Sequence, residues 1–549
     1  MTMTVPRTAD KHEYYGDSLL LDSAITFDRH DWVTGVFFDA PTDPTLYDIL
    51  IDWVVPGDVV LEIIGSGYGD TIYADQNDDT VKGGGGKDIL YGLDGDDLIA
   101  GDYYDSESLG AADTIDGGAG DDAIFGGGGD DLLKGGADDD TLVGNDGNDK
   151  LMGDAGADVL AGGKGNDTYY LGSSDTMEEA AGEGVDTVIL LDQNTYTLGA
   201  NFENLIFSYT GNADLTGNAA ANMITGAGGN DILRGNEGAD TLNGNAGADT
   251  MYGGAGSDTY VVFQTTDKVV EYSNAGIDTV RTTLSEYTLG ANVENLVSIG
   301  AYGINGTGNA LGNTMTGNAV NDTLNGLDGN DALIGQGGND SMLGGNGGDW
   351  MSGGAGVDWM RGEAGNDTIL GGADMDYMYG GDGADAMDGG DFGDVMYGDG
   401  GNDSMQGGLG NDTMQGGTGG DTIHGGDGND RVRGNAGADA MYGDAGNDVF
   451  VYGSTADSNT TTGRDFIYDF VKGQDRIDLS LIDANTALTG NQAFSFLAVK
   501  PMFASAGDLT VTENLVGTVV QGDVNGDGFA DISIVVVGVT GMTASDFVL

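Results

Sequence analysis

A nine-residue unit recurs through this chain, and its register decides what the chain can fold into. From residue 308 to residue 451, sixteen units follow one another without a slip. GLDGNDALI (326–334), GGAGVDWMR (353–361) and GGDGNDRVR (425–433) are typical. Residues 65–170 hold ten regular units and one stretched unit, 101–116, with seven extra residues between Gly101 and Asp113. Residues 217–261 hold five more, for 32 in all. Position six is Asp in 30 of them; the exceptions, Asn222 and Asn313, each stand in the first unit of a block. Position eight is apolar in all 32, from Ile72 to Phe450.

This pattern is neither helix-periodic nor a simple strand alternation. It predicts a turn of about six residues followed by a strand of about three, with position eight pointing one way and positions seven and nine the other. Gly at positions one, two and four allows positive φ and close backbone approach. One unit cannot bury its single apolar residue, so two units make one coil and coils must stack. The expected fold is all-β: a parallel β-roll or β-solenoid in three blocks, with β-rich caps at both ends. At about 4.8 Å per strand, the eight coils of the longest block would rise roughly 38 Å. Eleven of the 19 Met occupy position eight, where a flexible gap filler suits a narrow core better than a soft-metal site.

Stacking also brings the turns together, so that Asp carboxylates and Gly carbonyls converge at strand spacing. That is an all-oxygen cage for a hard cation. Calcium, which accepts six to eight irregular oxygen ligands, suits it better than octahedral magnesium. The predicted calcium ligands in the first block are Asp70, Asp79, Asp88, Asp97, Asp113, Asp122, Asp131, Asp140, Asp149, Asp158 and Asp167. In the second they are Asp231, Asp240, Asp249 and Asp258. In the third they are Asp322, Asp331, Asp340, Asp349, Asp358, Asp367, Asp376, Asp385, Asp394, Asp403, Asp412, Asp421, Asp430, Asp439 and Asp448. The same reading makes sense of the charge. Asp and Glu number 91 against 18 Lys and Arg, a net −73 that a disordered chain would carry, yet 39% of residues are hydrophobic. No basic surface exists for nucleic acid, and without Cys no disulfide framework is possible.

The GGxGxDxUx units resemble those of the RTX (repeats in toxin) calcium-binding exoproteins, a resemblance covering about half the chain. It implies a calcium-loaded parallel β-roll. The tail, with GRDFIYDFVKGQDRIDLSLIDA (463–484), resembles the C-terminal domain of serralysin-type secreted proteases at Asp465, Asp469, Phe470, Gly473, Asp475, Ile477, Asp478 and Leu479. That resemblance implies a cap on the roll and an uncleaved signal for the type I secretion machinery; the ending Asp546-Phe547-Val548-Leu549 has the acidic-then-apolar form of such signals. It also implies a protein that is secreted, extracellular or cell-surface associated, from a Gram-negative bacterium. In keeping with this, the N-terminus lacks a Sec-type signal, and no apolar run is long enough for a transmembrane segment.

The expected organisation is an N-terminal cap (1–64), roll block one (65–170), a calcium-free solenoid insert (171–216), block two (217–261), a second insert (262–307), block three (308–451), and the C-terminal cap with its secretion signal (452–549). The inserts are each 46 residues long and resemble each other: GVDTV (184–188), YTLGAN (196–201) and ENL (203–205) recur as GIDTV (276–280), YTLGAN (287–292) and ENL (294–296). DVNGDGFAD (523–531) looks like the start of an EF-hand loop, with Asp523, Asn525, Asp527 and Asp531 in ligand positions. Position 12 is Ile534 in place of a bidentate Glu, so a differently completed calcium site and a plain Asx-rich turn both fit.

No catalytic constellation emerges. The three His are His12, His30 and His424; His12-Glu13 is followed by Tyr-Tyr-Gly, which is not a zinc-protease HExxH, and Ser66 lies in GSGYG within the first unit. The chain therefore reads as a non-enzyme: a calcium-folded exoprotein with a structural or interaction role at the cell surface or in extracellular matrix, where it could self-assemble. The alternatives are a glycan- or host-binding effector that uses the N-terminal cap or the inserts, and, more weakly, an enzyme acting on polysaccharide or peptide.

Overall fold

The computed structural model describes residues 36–37, 49–50, 62–65, 67–74, 76–102, 110–459, 463–497, 503 and 505–549. The expected N-terminal cap, with His12 and His30, lies almost wholly outside the described residues. The chain forms two compact units, Met1–Val270 and Glu271–Leu549.

Each unit is a parallel β-solenoid. In the first, Thr114–Ala119, Leu132–Ala137, Lys150–Ala155 and Thr168–Leu171 stack in one sheet. Ala123–Gly128, Thr141–Asp146 and Val159–Lys164 stack in the sheet facing it. Paired residues are 18 apart, as in Leu133↔Leu151, so two nonapeptides make one coil. In the second unit, Ala332–Gly337, Trp350–Ala355 and Thr368–Ala373 repeat the arrangement against Ser341–Asn346, Trp359–Ala364 and Tyr377–Asp382.

The core is one residue wide. Position eight is the buried centre of each strand: Ile72, Leu142, Met351, Met378 and Phe450 are all 0% exposed. Positions seven and nine face outward, and in-register stacking lines up like side chains on that face. Trp359 stacks on Tyr377 at 4.6 Å, and Tyr379 on Tyr397 at 5.0 Å.

The strands are longer than the repeat alone predicts. Most run six residues, from position seven to position three of the next unit, as in Thr114–Ala119. Pairing resumes beyond the corner, at Gly136↔Asp154 and Ala137↔Ala155, so the turn shrinks to three residues. Positive φ falls at positions two and four (Gly118 118°, Gly120 130°), while position one keeps a negative φ.

Both inserts continue the stack with altered coil lengths. In the first, Thr187–Leu190 pairs with Thr168–Leu171 and with Asn204–Phe207. In the second, Thr279–Thr282 pairs with Asn295–Ser298, and that strand with Thr314–Thr316. At the C-terminal end, Phe466–Ile467 and Arg476–Asp478 add to the two sheets. An antiparallel hairpin system, Asp508–Glu513, Gly517–Asp523 and Ile532–Val537, then lies along Phe466–Ile467, and Phe547–Val548 adds beside Ile477–Asp478. Among the described residues no helix is long and apolar enough to cross a membrane.

Candidate metal centre

The position-six aspartates form ladders along the turns. In the second unit the backbone N–H of Asp340 donates to Asp358 Oδ1 (2.8 Å), that of Asp358 to Asp376 (2.8 Å), and so on to Asp448, whose N–H donates to Asp475 Oδ1 (3.0 Å). A second ladder on the opposite side begins with Asn313 donating to Asp331 (2.6 Å) and ends with Asp439 donating to Asp465 (3.1 Å). The first unit has the same pair, from Asp70 donating to Asp88 and from Asp79 donating to Asp97. One carboxylate oxygen of each rung is thus spent on the neighbouring coil.

The other oxygen is the informative one. Oδ2 of Asp88, Asp131, Asp167, Asp240, Asp249, Asp340, Asp358, Asp403 and Asp448, with most of their counterparts, is buried and accepts no hydrogen bond. A buried, unpaired carboxylate oxygen is costly. None of the seven ion pairs among the described residues involves a position-six Asp. Burial pushes the carboxyls up, against the lowering effect of the ladder N–H: Asp88 to about 8, Asp131 to about 9, Asp340 to about 7. Repeated buried acceptors at strand spacing, with carbonyls beside them and no cationic side chain paired with them in those seven bridges, fit a hard divalent ion. The position-six residues would hold it, and the ion would supply the positive charge that the side chains lack.

Gly at position one is explained by the same oxygen. A Cβ at Gly353 would collide with Asp358 Oδ2 and lie 2.8 Å from the Gly371 carbonyl oxygen; Gly162 and Gly335 stand in the same relation to Asp167 and Asp340.

The exceptions follow from what the neighbouring coil offers. Above Asn222 and Asn313 the inserts present carbonyls. Asn222 Nδ2 donates to Phe202 O (3.1 Å) and Glu203 O (3.3 Å), and Asn313 Nδ2 to Val293 O and Glu294 O (both 3.2 Å). Their Oδ1 atoms accept from Asn218 and Asn309 N–H. The amide satisfies itself, so these rungs need no cation. Asp231 and Asp322 are intermediate: each Oδ2 accepts one N–H, from Ala227 and Asn318.

Several ladder members lie outside the nonapeptides. Asp186 Oδ1 accepts from Asp167 N–H (2.8 Å), and Glu203 Oε2 accepts from Asp186 N–H (2.8 Å). Glu294 Oε2 plays the same part for Asp278. Asp465 and Asp475 continue the ladders into the tail, and burial pushes Asp465 up to about 9. The DTV and ENL motifs and the tail aspartates were the sequence signal, hidden because coil length slips there. A further exposed ladder runs through position five: Asn148 N–H to Asp130 Oδ1 (2.8 Å) and Asn166 N–H to Asn148 Oδ1 (2.7 Å). The recurrent Asn-Asp and Asp-Asp dipeptides carried that signal.

At 523–531 the carboxylates are engaged locally. Asp523 accepts from the N–H groups of Asn525, Gly526 and Gly528, and Asp531 Oδ2 accepts from Val524 N–H (2.8 Å). Asn525 Nδ2 donates to Asp527 and Asp531. These are Asx-turn contacts. His424 lies on the outer sheet face, with Nδ1 3.0 Å from Asp444 Oδ2 and its ring stacked on Tyr442.

Comparison with known proteins agrees with this geometry. Residues 308–549 match the family described as Peptidase M10 serralysin C terminal. Residues 64–99, 109–142, 143–175, 207–242 and 225–260 match the RTX calcium-binding nonapeptide repeat. These are repeat and C-terminal regions, not a catalytic domain. Among solved structures, the chain is similar to the solution structure of the AlgE6R3 subunit from the Azotobacter vinelandii mannuronan C5-epimerase. Identity is 24% over 32% of this chain and 78% of that one, with a TM-score of 0.19. No curated protein matches this chain.

Proposed function

Given that the chain is an RTX-repeat protein with a serralysin-type C-terminal region, we propose that it is an exported protein whose solenoids are locked by calcium outside the cell, where it serves a structural or interaction role at the surface or in the matrix. One observation carries this reading: the rows of buried Oδ2 atoms without a hydrogen-bond donor. Where calcium is scarce, those carboxylates repel one another and oppose the fold. In millimolar calcium, binding to the folded state alone stabilises it by mass action. The chain is then extended before export, in a form a type I channel can pass, and rigid afterwards. The match of residues 308–549 to the serralysin C-terminal family supports the export half of the reading.

Circular dichroism of the full chain, first stripped of metal and then titrated with calcium, tests the proposal. β content should rise cooperatively with calcium. Equal β content in the two states would sink it. Electron microscopy of the calcium-loaded protein then separates an assembling surface component, which gives ordered arrays, from one that acts as single particles.

A further inference from the structure

The start of the first insert holds a cluster that the nonapeptide scheme does not contain. Asp167 is the last position-six residue of the first block. The chain then leaves the nonapeptide register, runs through Thr176–Glu178 in one sheet, and returns at Asp186 to the other. That 19-residue coil puts Glu179 beside two consecutive rungs. Carboxylate oxygens of Asp167, Glu179 and Asp186 all lie within 4.8 Å of one another.

Two independent features point to a ligand there. Asp167 is 1% exposed and Asp186 0%, and their Oδ2 atoms, together with Glu179 Oε1, accept no hydrogen bond. Their Oδ1 atoms are already committed to Asp149 and Asp167 N–H, so the unpaired oxygens are the ones left to face the cluster. Second, Glu179 is held in place. Its Oε2 accepts the hydroxyl proton of Tyr169, whose oxygen accepts Gly162 N–H (2.6 Å). Asn201 Nδ2 donates to the Glu179 carbonyl (2.9 Å), and Phe202 closes the apolar side edge-on to Tyr169 at 5.3 Å. Lys164 is exposed and paired with Asp146 (2.8 Å).

We propose that Asp167, Glu179 and Asp186 form a calcium site of a second kind, closed by a glutamate from the insert and oriented by the Tyr169 hydroxyl. Each ladder takes one carboxylate from each coil, whereas this site gathers three around one ion, a donor set suited to calcium. It anchors the first insert to the first block, so the insert is not calcium-free at its start. The inference rests on the calcium reading of the ladders through Asp167 and Asp186; Glu179 belongs to no nonapeptide and to no ladder.

Hydrogen exchange of the full chain, read peptide by peptide across a calcium titration, tests it. Amides of residues 172–186 should gain protection with calcium. In Glu179→Gln the midpoint there should move up at least tenfold, while peptides from residues 326–448 keep theirs. Magnesium at the same concentrations should leave 172–186 unprotected. Unchanged protection of 172–186 in Glu179→Gln, or equal protection by magnesium, overturns the site. If peptides 326–448 also ignore calcium, it is the ladder reading that fails. Should Glu179→Gln not fold, terbium soaked into wild-type crystals decides: an anomalous peak among the three carboxylates is expected, and its absence refutes the site.

Discussion

At the scale of single residues, the nonapeptide is a set of answers to one oxygen. Position six places a carboxylate whose Oδ1 is taken by the preceding coil and whose Oδ2 is left over. Position one is Gly in every unit but the second, where Ala74 stands, because Oδ2 occupies the space of its Cβ, whereas position three has no such constraint. Gly353→Ala should therefore destabilise the calcium-loaded protein by about 1–3 kcal/mol through overpacking. Gly337→Ala, whose new Cβ would meet nothing nearer than 3.7 Å, should stay within about 0.5 kcal/mol. Denaturant midpoints in saturating calcium compare the two. The sequence alone revealed positions six and eight, because a repeated residue type in fixed register is visible without coordinates. It did not reveal why Asn222 and Asn313 differ. Their amides answer carbonyls of Phe202, Glu203, Val293 and Glu294, contacts 19 or 20 residues away in the chain.

At the scale of the strand, the repeat predicted three residues and the structure has six. The difference is a matter of backbone. Positive φ at position two bends the strand without ending its pairing, and hydrogen bonding past a corner leaves no mark on side-chain periodicity. For the same reason the ladder roles of Asp186, Asp465 and Asp475 were not legible: one extra residue, or eight or nine, breaks the nine-residue count but not the stacking. The width of the core was legible. With one buried side chain per strand, its volume is filled from both sheets, and Met378 is 0% exposed. Met378→Leu should cost less than about 1.5 kcal/mol. Met378→Ala should cost about 2–5 kcal/mol, since neighbouring coils held by their ladders cannot collapse into the gap. Calcium-saturated unfolding measures both.

At the scale of the whole molecule, the charge of −73 sets the response to pH. Burial raises the folded-state values of the ladder carboxyls, Asp394 and Asp403 to about 7 and Asp421 to about 6, above an unfolded value near 3.8. A raised carboxyl binds more protons folded than unfolded. Its contribution to stability is therefore full below the unfolded value and lost as pH rises through the folded one. Without metal the protein should be more structured near pH 4–5 than at pH 8. Calcium competes for the same oxygens, so its apparent affinity should climb across pH 6–8 and its binding should release protons. Circular dichroism in metal-free buffers, with proton release followed during calcium addition, checks both signs. Metal-free β content that rises with pH would contradict the buried ladders.

Every rung of these ladders joins residues 16 to 27 apart, and none reaches farther than the adjoining coil. Outside the tail, whose pairings Phe466↔Val535 and Ile477↔Phe547 reach far along the chain, a roll block has no distant clasp to release. Pulled from its two ends, it should come apart one turn at a time, each yielding roughly 60 Å of extended chain. The force at each step would report the ions held by that turn. The molecule would then behave less like a block that snaps than like a tape that unspools, and in calcium it would rewind from whichever end remained wound.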